Sequence, residues 1–229
     1  MFYQSDVFSI TAVRVVGAER LSNKYLEQLA AVPGGSTLLR VDIDGISKRL
    51  TDDSWIAEVS VERSFPSTLI ITIKERTPVA VVETYPDLVS SETVPWLISG
   101  DGIWLGNADG SSSEVVVTAE ELASYCPIIG VQRDIVPVYG RKNTDEGVQN
   151  ALAILARFSP EMRSLLKNIN APDSNQTMLI LKNNVEVLFG SAKDTEAKEI
   201  AIKTLLNEHP DTLISMNVRV ADTPSWKAL

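Results

Sequence analysis

Two β-rich runs joined by a tight turn constrain the fold of this chain more than any other feature. The first runs Trp55-Ile56-Ala57-Glu58-Val59-Ser60-Val61-Glu62-Arg63 and the second Thr68-Leu69-Ile70-Ile71-Thr72-Ile73-Lys74-Glu75. Val59 and Val61 alternate with Ser60 and Glu62, and Leu69, Ile71 and Ile73 alternate with Ile70, Thr72 and Lys74. Period-2 alternation gives each run one buried and one wetter face, as in a strand pair. Phe65-Pro66-Ser67 lies between them. Proline has no N–H and a fixed φ, so it suits the turn and not the strands. The result is a β-hairpin, and no residue in it points to chemistry.

The preceding segment supplies the rest of a small domain. Phe8-Ser9-Ile10-Thr11-Ala12-Val13-Arg14-Val15-Val16-Gly17 reads as a strand ending at a glycine. Ser22 is placed to cap a helix through Leu29, with Tyr25, Leu26 and Leu29 on one face, and Val32-Pro33-Gly34-Gly35 stops it. A second short helix is predicted over 43–50, capped by Asp42 or Asp44. The predicted order is β-α-α-β-β.

This order and wording resemble the POTRA domain of the FtsQ/DivIB cell-division family. The matching pieces are Phe8-Ser9-Ile10, Val13-Arg14-Val15-Val16-Gly17, Ser54-Trp55-Ile56, Val61-Glu62-Arg63-Ser64-Phe65-Pro66 and Glu75-Arg76-Thr77-Pro78-Val79-Ala80. POTRA domains also occur in outer-membrane assembly and secretion proteins, so a docking domain of such a system is the alternative reading.

Beyond Pro78 the texture changes to short strands, expected at 79–83, 96–98, 103–105 and 115–117, with a turn at Gly100-Asp101-Gly102. Residues 107–113 are polar and read as a loop. Thr118-Ala119-Glu120-Glu121 has capping-box spacing, and Pro127-Ile128-Ile129-Gly130 reads as a brief strand or turn. Helices are predicted over 145–157, from Pro160 with Ser159 as cap, and over 195–207 with Ala197, Ile200, Ala201, Leu205 and Leu206 inward. Strands 177–181 and 185–189 flank a hairpin turn, Lys182-Asn183-Asn184. A final strand is predicted over 213–220, with Ile214, Met216, Val218 and Val220 facing the core and Ser215, Asn217 and Arg219 facing away.

This half resembles the β domain of the same family. Trp96-Leu97-Ile98-Ser99-Gly100-Asp101-Gly102, Cys126-Pro127-Ile128-Ile129-Gly130, and Val187-Leu188-Phe189-Gly190 followed by Lys193 or Lys198 match its elements, as does the closing run from Met216 to Lys227. Asn217 departs from the common Asp. The predicted fold is therefore α+β: a lead-in over 1–7, a POTRA domain over 8–76 and a mixed β-sheet domain with flanking helices over 77–229.

Composition narrows the function classes. The 229 residues carry a net charge of −9, which opposes a general nucleic-acid surface and provides no polybasic membrane patch. No stretch reaches the roughly 18–20 apolar residues of a membrane span, and the first residues lack the basic and apolar regions of a signal peptide. Family members carry a transmembrane helix just before the POTRA domain. The resemblance thus implies that Met1 opens an extracytoplasmic portion of a single-pass membrane protein, with Phe2 and Tyr3 near the membrane exit.

Catalytic constellations are not evident. Cys126 is the only cysteine, which excludes an intrachain disulfide and a Cys-based zinc site, and it reads as a buried structural thiol. His209 is the only histidine and reads as a surface residue at a helix end, which leaves Ser-His-Asp and two-His metal sites without support. Ser164-Leu165-Leu166-Lys167 fits Ser-x-x-Lys but lacks the companion motifs of penicillin-binding enzymes. Gly34-Gly35-Ser36-Thr37 lacks the Walker lysine, and Asp101-Gly102 and Asp109-Gly110 are turn chemistry, not a calcium loop. Asp42, Asp44, Asp52 and Asp53 read as helix caps and solvated neighbours, although a paired-carboxylate hydrolase is not excluded by spacing alone. Trp55, Trp96 and Trp104 read as core; Trp226 follows the last predicted strand and is the candidate contact residue.

No cofactor, metal or catalytic residue is expected. The resemblance implies a non-enzymatic divisome scaffold that binds FtsB/DivIC-like and FtsL-like proteins and helps regulate septal peptidoglycan synthesis. It places partner contacts on the last predicted strand and just after it, at Ser215, Asn217, Val218, Arg219, Val220 and Trp226. The physical rationale is an open sheet edge that a partner segment extends.

Overall fold

The computed structural model describes residues 8–108 and 115–229. The 1–7 lead-in and residues 109–113 of the expected polar loop lie outside the described residues. The chain divides into two compact units, the second being Pro78–Leu229.

In the first unit, β1 (Ala12–Val16), α1 (Asn23–Ala30), α2 (Ile43–Thr51), β2 (Ile56–Ser64) and β3 (Thr68–Glu75) follow the order read from sequence. The sheet order is β1-β3-β2, with β1 parallel and β2 antiparallel to β3. Val59 lies opposite Ile73 and Val61 opposite Ile71. Leu69, Ile71 and Ile73 are buried together with Leu26 and Ala30 of α1 and Ile46 and Leu50 of α2. Each fully buried Leu or Ile contributes about 1.5–3 kcal/mol. Ser22 caps α1 by accepting from Tyr25 N–H (3.1 Å), and of the two Asp candidates it is Asp42 that caps α2, accepting from Gly45 N–H (2.9 Å). Ala31, at φ 46, ends α1 in the left-handed region.

The polar residues of the POTRA wording are clamps. Glu75 accepts backbone N–H bonds from Glu19 (3.1 Å), Arg20 (2.9 Å) and Leu21 (2.9 Å), fixing the β1–α1 connection to the end of β3. Arg76 donates to the carbonyls of Ser54 (2.8 Å) and Ile56 (2.7 Å), and Arg63 to those of Leu38 and Val41. Gly17 has φ +88, and a Cβ there would stand 2.2 Å from the Ile73 carbonyl oxygen, so no side chain fits.

The second unit contains β4 (Pro78–Thr84), β5 (Val94–Ser99), β6 (Trp104–Asn107), α3 (Ala119–Ser124), β7 (Cys126–Ile129), α4 (Glu146–Arg157) and α5 (Pro160–Leu165). It continues with β8 (Leu166–Asn170), β9 (Met178–Leu181), β10 (Glu186–Leu188), α6 (Thr195–Glu208), β11 (Leu213–Asn217) and β12 (Ser225–Ala228). Among the described residues the strands form one mixed sheet in the order β12-β11-β10-β9-β8-β7-β4-β5-β6. Its core gathers Ile98, Ile128, Ile169, Leu179, Val187 and Met216 from the sheet with Val148, Ile154, Met162, Ile202 and Leu205 from α4, α5 and α6.

Several sequence expectations need correction here. Residues 115–117 form no strand. Strand β8 was not foreseen: Leu166-Lys167-Asn168-Ile169-Asn170 is mostly polar, yet Leu166 and Ile169 are buried and it pairs with both β7 and β9. Helix α6 turns Thr195, Lys198, Glu199, Ile202 and Leu205 inward, whereas Ala197 is exposed and Ile200 is 67% exposed. Two buried charged residues on the inward face hid the true phase of this helix.

Candidate docking edge

The C-terminal strand pair defines one border of the large sheet. Strand β10 runs parallel to β11 through α6, and β12 returns antiparallel to β11. Strand β11 is thus flanked on both sides, and the free edge is β12. This corrects the expectation that residues 213–220 form the open edge. The strand also stops at Asn217, and its register with β12 slips between Leu213 and Ser215. The slip inserts one residue and resets the alternation. Leu213, Met216 and Val218 are buried, while Ile214, expected in the core, is 38% exposed and Val220 is 61% exposed.

The residues singled out from sequence therefore separate. Val218 points into the core, so its side chain presents nothing to a partner; its N–H donates to Leu188 O (3.0 Å). Ser215 and Asn217 are half-buried on β11, paired across the strand with Lys227 and Ser225. Directly opposed residues share a face, so these four line the side of the sheet away from the Met216 core. Arg219 is exposed; its Nε donates to Asn217 Oδ1 (3.2 Å) and its stem packs where a Cβ on Gly190 (φ +68) would stand, 3.0 Å away. Val220 lies in the turn between β11 and β12.

Trp226 lies on the free edge itself. It opposes Met216, is 48% exposed and stacks at 5.4 Å on His209, the residue that ends α6. Ser225, Lys227 and Ala228, the remainder of the edge strand, went unread in the sequence; Pro224, which is confined to the starts of strands or to edges, was the available signal.

Behind this edge, buried polar groups fix the β10–α6 connection. Asn150 Nδ2 donates to Thr177 Oγ1 (2.8 Å) and Gly190 O (3.0 Å), and its Oδ1 accepts from Ala192 N–H (2.8 Å). Lys198 Nζ donates to Phe189 O (3.1 Å) and Ser191 O (2.7 Å). Lys198, and not exposed Lys193, is the structural lysine of this motif. Burial lowers its pKa, against a smaller opposing pull from Asp194.

Cys126 is partly buried, and burial pushes its thiol up to about 12, which suits a packing residue. Ser164 donates to Glu161 O and Lys167 to Asn184 Oδ1, so the Ser-x-x-Lys pair is not a couple. Among the described residues no group of three or more His, Cys, Asp or Glu is placed to hold a metal, and no helix is long and apolar enough to cross a membrane.

Comparison with known proteins shows what the chain is similar to. Residues 8–76 match the POTRA domain, FtsQ-type. A protein named "Cell division protein FtsQ" from Mycolicibacterium smegmatis is 26% identical over 227 residues, covering 99% of this chain and 60% of its own length. Residues 8–76 therefore carry an FtsQ-type POTRA domain, and most of the chain is similar to proteins of that name at about a quarter identity. The FtsQ protein of Streptomyces bingchenggensis is 24% identical over 212 residues, covering 92% of this chain and 73% of its own. That of Geobacter sp. (strain M21) is 37% identical over 78 residues, 34% of this chain. The chain thus spans only 60% of the length of the mycobacterial FtsQ.

Proposed function

We propose that this chain is the extracytoplasmic, non-catalytic docking portion of a cell-division protein anchored in the membrane. It takes an FtsB/DivIC-like partner segment as an added strand along β12, together with an FtsL-like protein, and so takes part in regulating septal peptidoglycan synthesis. The observation that carries this reading is the position of β12 at the end of the large sheet, with Trp226 half-exposed upon it. An edge strand offers a row of N–H and C=O groups that an extended segment satisfies, and a flanking aromatic residue adds an anchor. The relatives' name, "Cell division protein FtsQ", supports the division role.

The test is calorimetric titration of the chain with the extracytoplasmic segment of its own organism's FtsB/DivIC-like protein. Submicromolar binding that produces amide shifts along 225–228 is expected. Binding that leaves those amides unmoved would refute the edge as the docking site and favour the first unit. The secretion alternative predicts instead that the chain binds unfolded outer-membrane polypeptides and ignores the division segment.

A further inference from the structure

A cleft in the Pro78–Leu229 unit concentrates positive charge in an acidic protein. It has a volume of about 580 Å³ and is framed by the starts of β4, β7 and β8 and the end of β9. Arg163, Lys167 and Lys182 line it, and no Asp or Glu does. Among the described residues none of the three is in a salt bridge. Arg163 makes one long bond to Ala156 O (3.4 Å), and Lys167 bonds the neutral Asn184. On α3, outside the cleft lining, Glu121 accepts from the Tyr125 hydroxyl. The charge reaches inward: Lys182 acts on the Cys126 thiol, although burial dominates there.

We propose that this cleft binds a peptide segment in which acidic and apolar residues alternate, at a site separate from the β12 edge. The three cations are exposed on long flexible stems, and the same cleft is lined by exposed Val79 and half-buried Leu122 and Pro127, with buried Pro78, Leu155 and Leu166 beside them. A small oxyanion would use the cations alone and leave the apolar lining of the cleft uncovered. The hydroxyls of Ser124 and Ser164 already donate to the carbonyls of Glu121 and Glu161. A peptide fits both kinds of lining, with carboxylates at the cations and apolar side chains on the apolar residues. A chain with net charge −9 repels extended polyanions at long range, so the occupant is locally acidic and not a polyelectrolyte. Strand β9 lies three strands from β12, about 14 Å at ordinary strand spacing, so both sites can be filled at once.

The experiment is an amide NMR titration of the whole chain with an acetylated Leu-Glu hexapeptide. A Leu-Lys hexapeptide and inorganic phosphate serve as comparison probes. Saturable shifts at Tyr125, Cys126, Ser164 and Lys182 are expected, with no movement at Trp226 or Lys227. The Arg163→Glu/Lys182→Glu double variant should keep its melting temperature and bind the acidic peptide at least tenfold more weakly. Equal binding of the Leu-Lys peptide, unchanged affinity in the double variant, shifts centred on β12, or phosphate saturating the cleft as tightly as the peptide would each overturn the proposal. Because the β12 amides are read in the same spectra, failure here is distinguishable from failure of edge docking.

Discussion

Lys198 holds the backbone of Phe189 from inside the protein, with Nζ 3.1 Å from the Phe189 carbonyl oxygen and 4.7 Å from the centre of its ring. The Phe189 ring also meets Phe158 edge-on at 5.5 Å. One buried cation thus ties α6 to the connection leaving β10, and the strand that follows α6, β11, pairs with the free edge strand β12.

Replacing Lys198 by Met should therefore strand two carbonyls, those of Phe189 and Ser191, without their donor. An unsatisfied buried acceptor costs about 1–3 kcal/mol. The melting temperature should fall clearly for Lys198→Met and hardly at all for Lys193→Met. The pH dependence has a definite sign. Because the folded pKa lies below the ordinary 10.5, the folded chain releases this proton before the unfolded chain does. The parent should gain stability as pH rises through the window ending near 10.5, and Lys198→Met should lack that gain.

Glu75 serves the first unit in a similar way, through three backbone N–H groups at 2.9–3.1 Å. Glu75→Ala leaves these donors to water and frees the β1–α1 connection. A loss of about 2–3 kcal/mol is expected, given about 1.5–3 kcal/mol for a hydrogen bond to a charged group and partial exposure here. Trp55 is the only tryptophan before Pro78, and it is buried. With Trp96, Trp104 and Trp226 replaced by Phe to remove the background, urea unfolding followed at Trp55 reads the effect.

The first unit was readable because its signals are local: alternation in β2 and β3, a capping serine, a capping aspartate and a proline turn. Its order and helices follow those signals within a residue or two. The second unit resisted where buried polar residues replace apolar ones. The inward face of α6 includes Lys198 and Glu199, whose partners include the carbonyls of Phe189 and Ser191 and the distant Ser159, so hydrophobic spacing pointed to Ile200 instead. Strand β8 hides behind two asparagines. The free edge of the sheet lies one strand beyond the one the sequence pattern suggests, for a related reason. The four residues after Pro224, Ser225-Trp226-Lys227-Ala228, alternate polar and apolar but are too few to stand out as a strand, and their pairing with β11 makes them one.

Glu199 gives a prediction on the acid side. Burial pushes its pKa up, but the Ser159 hydroxyl and N–H and the Lys203 ammonium, 3.0 Å away, together outweigh burial and hold it below the ordinary 4.5. A carboxylate depressed in the folded state adds stability that is fully present above its unfolded value and is lost as pH falls through the folded value. Thermal melts of the parent should therefore drop more steeply below pH 4.5 than those of Glu199→Gln, which should already be less stable at pH 7. Parallel curves for the two proteins would refute this assignment.

Trp226 and His209 supply the decisive test of the edge. Trp226→Ala removes both an exposed contact surface and the ring that packs on His209 at 5.4 Å, so weaker binding alone would be ambiguous. His209→Ala separates the two effects. It deletes the same ring contact while leaving Trp226 on the edge strand. If Trp226 anchors the partner, Trp226→Ala should weaken binding by about 2 kcal/mol or more, roughly thirtyfold, and His209→Ala by less than a tenth of that factor. Both should lower the melting temperature by similar small amounts, since each loses one aromatic contact of about 0.5–1.5 kcal/mol. Arg219→Glu reports on the far end of the β11–β12 connection, where the stem of Arg219 covers Gly190. Should the two ring variants lose affinity equally, Trp226 acts by steadying the end of α6, and contact with the partner falls to the β12 backbone alone.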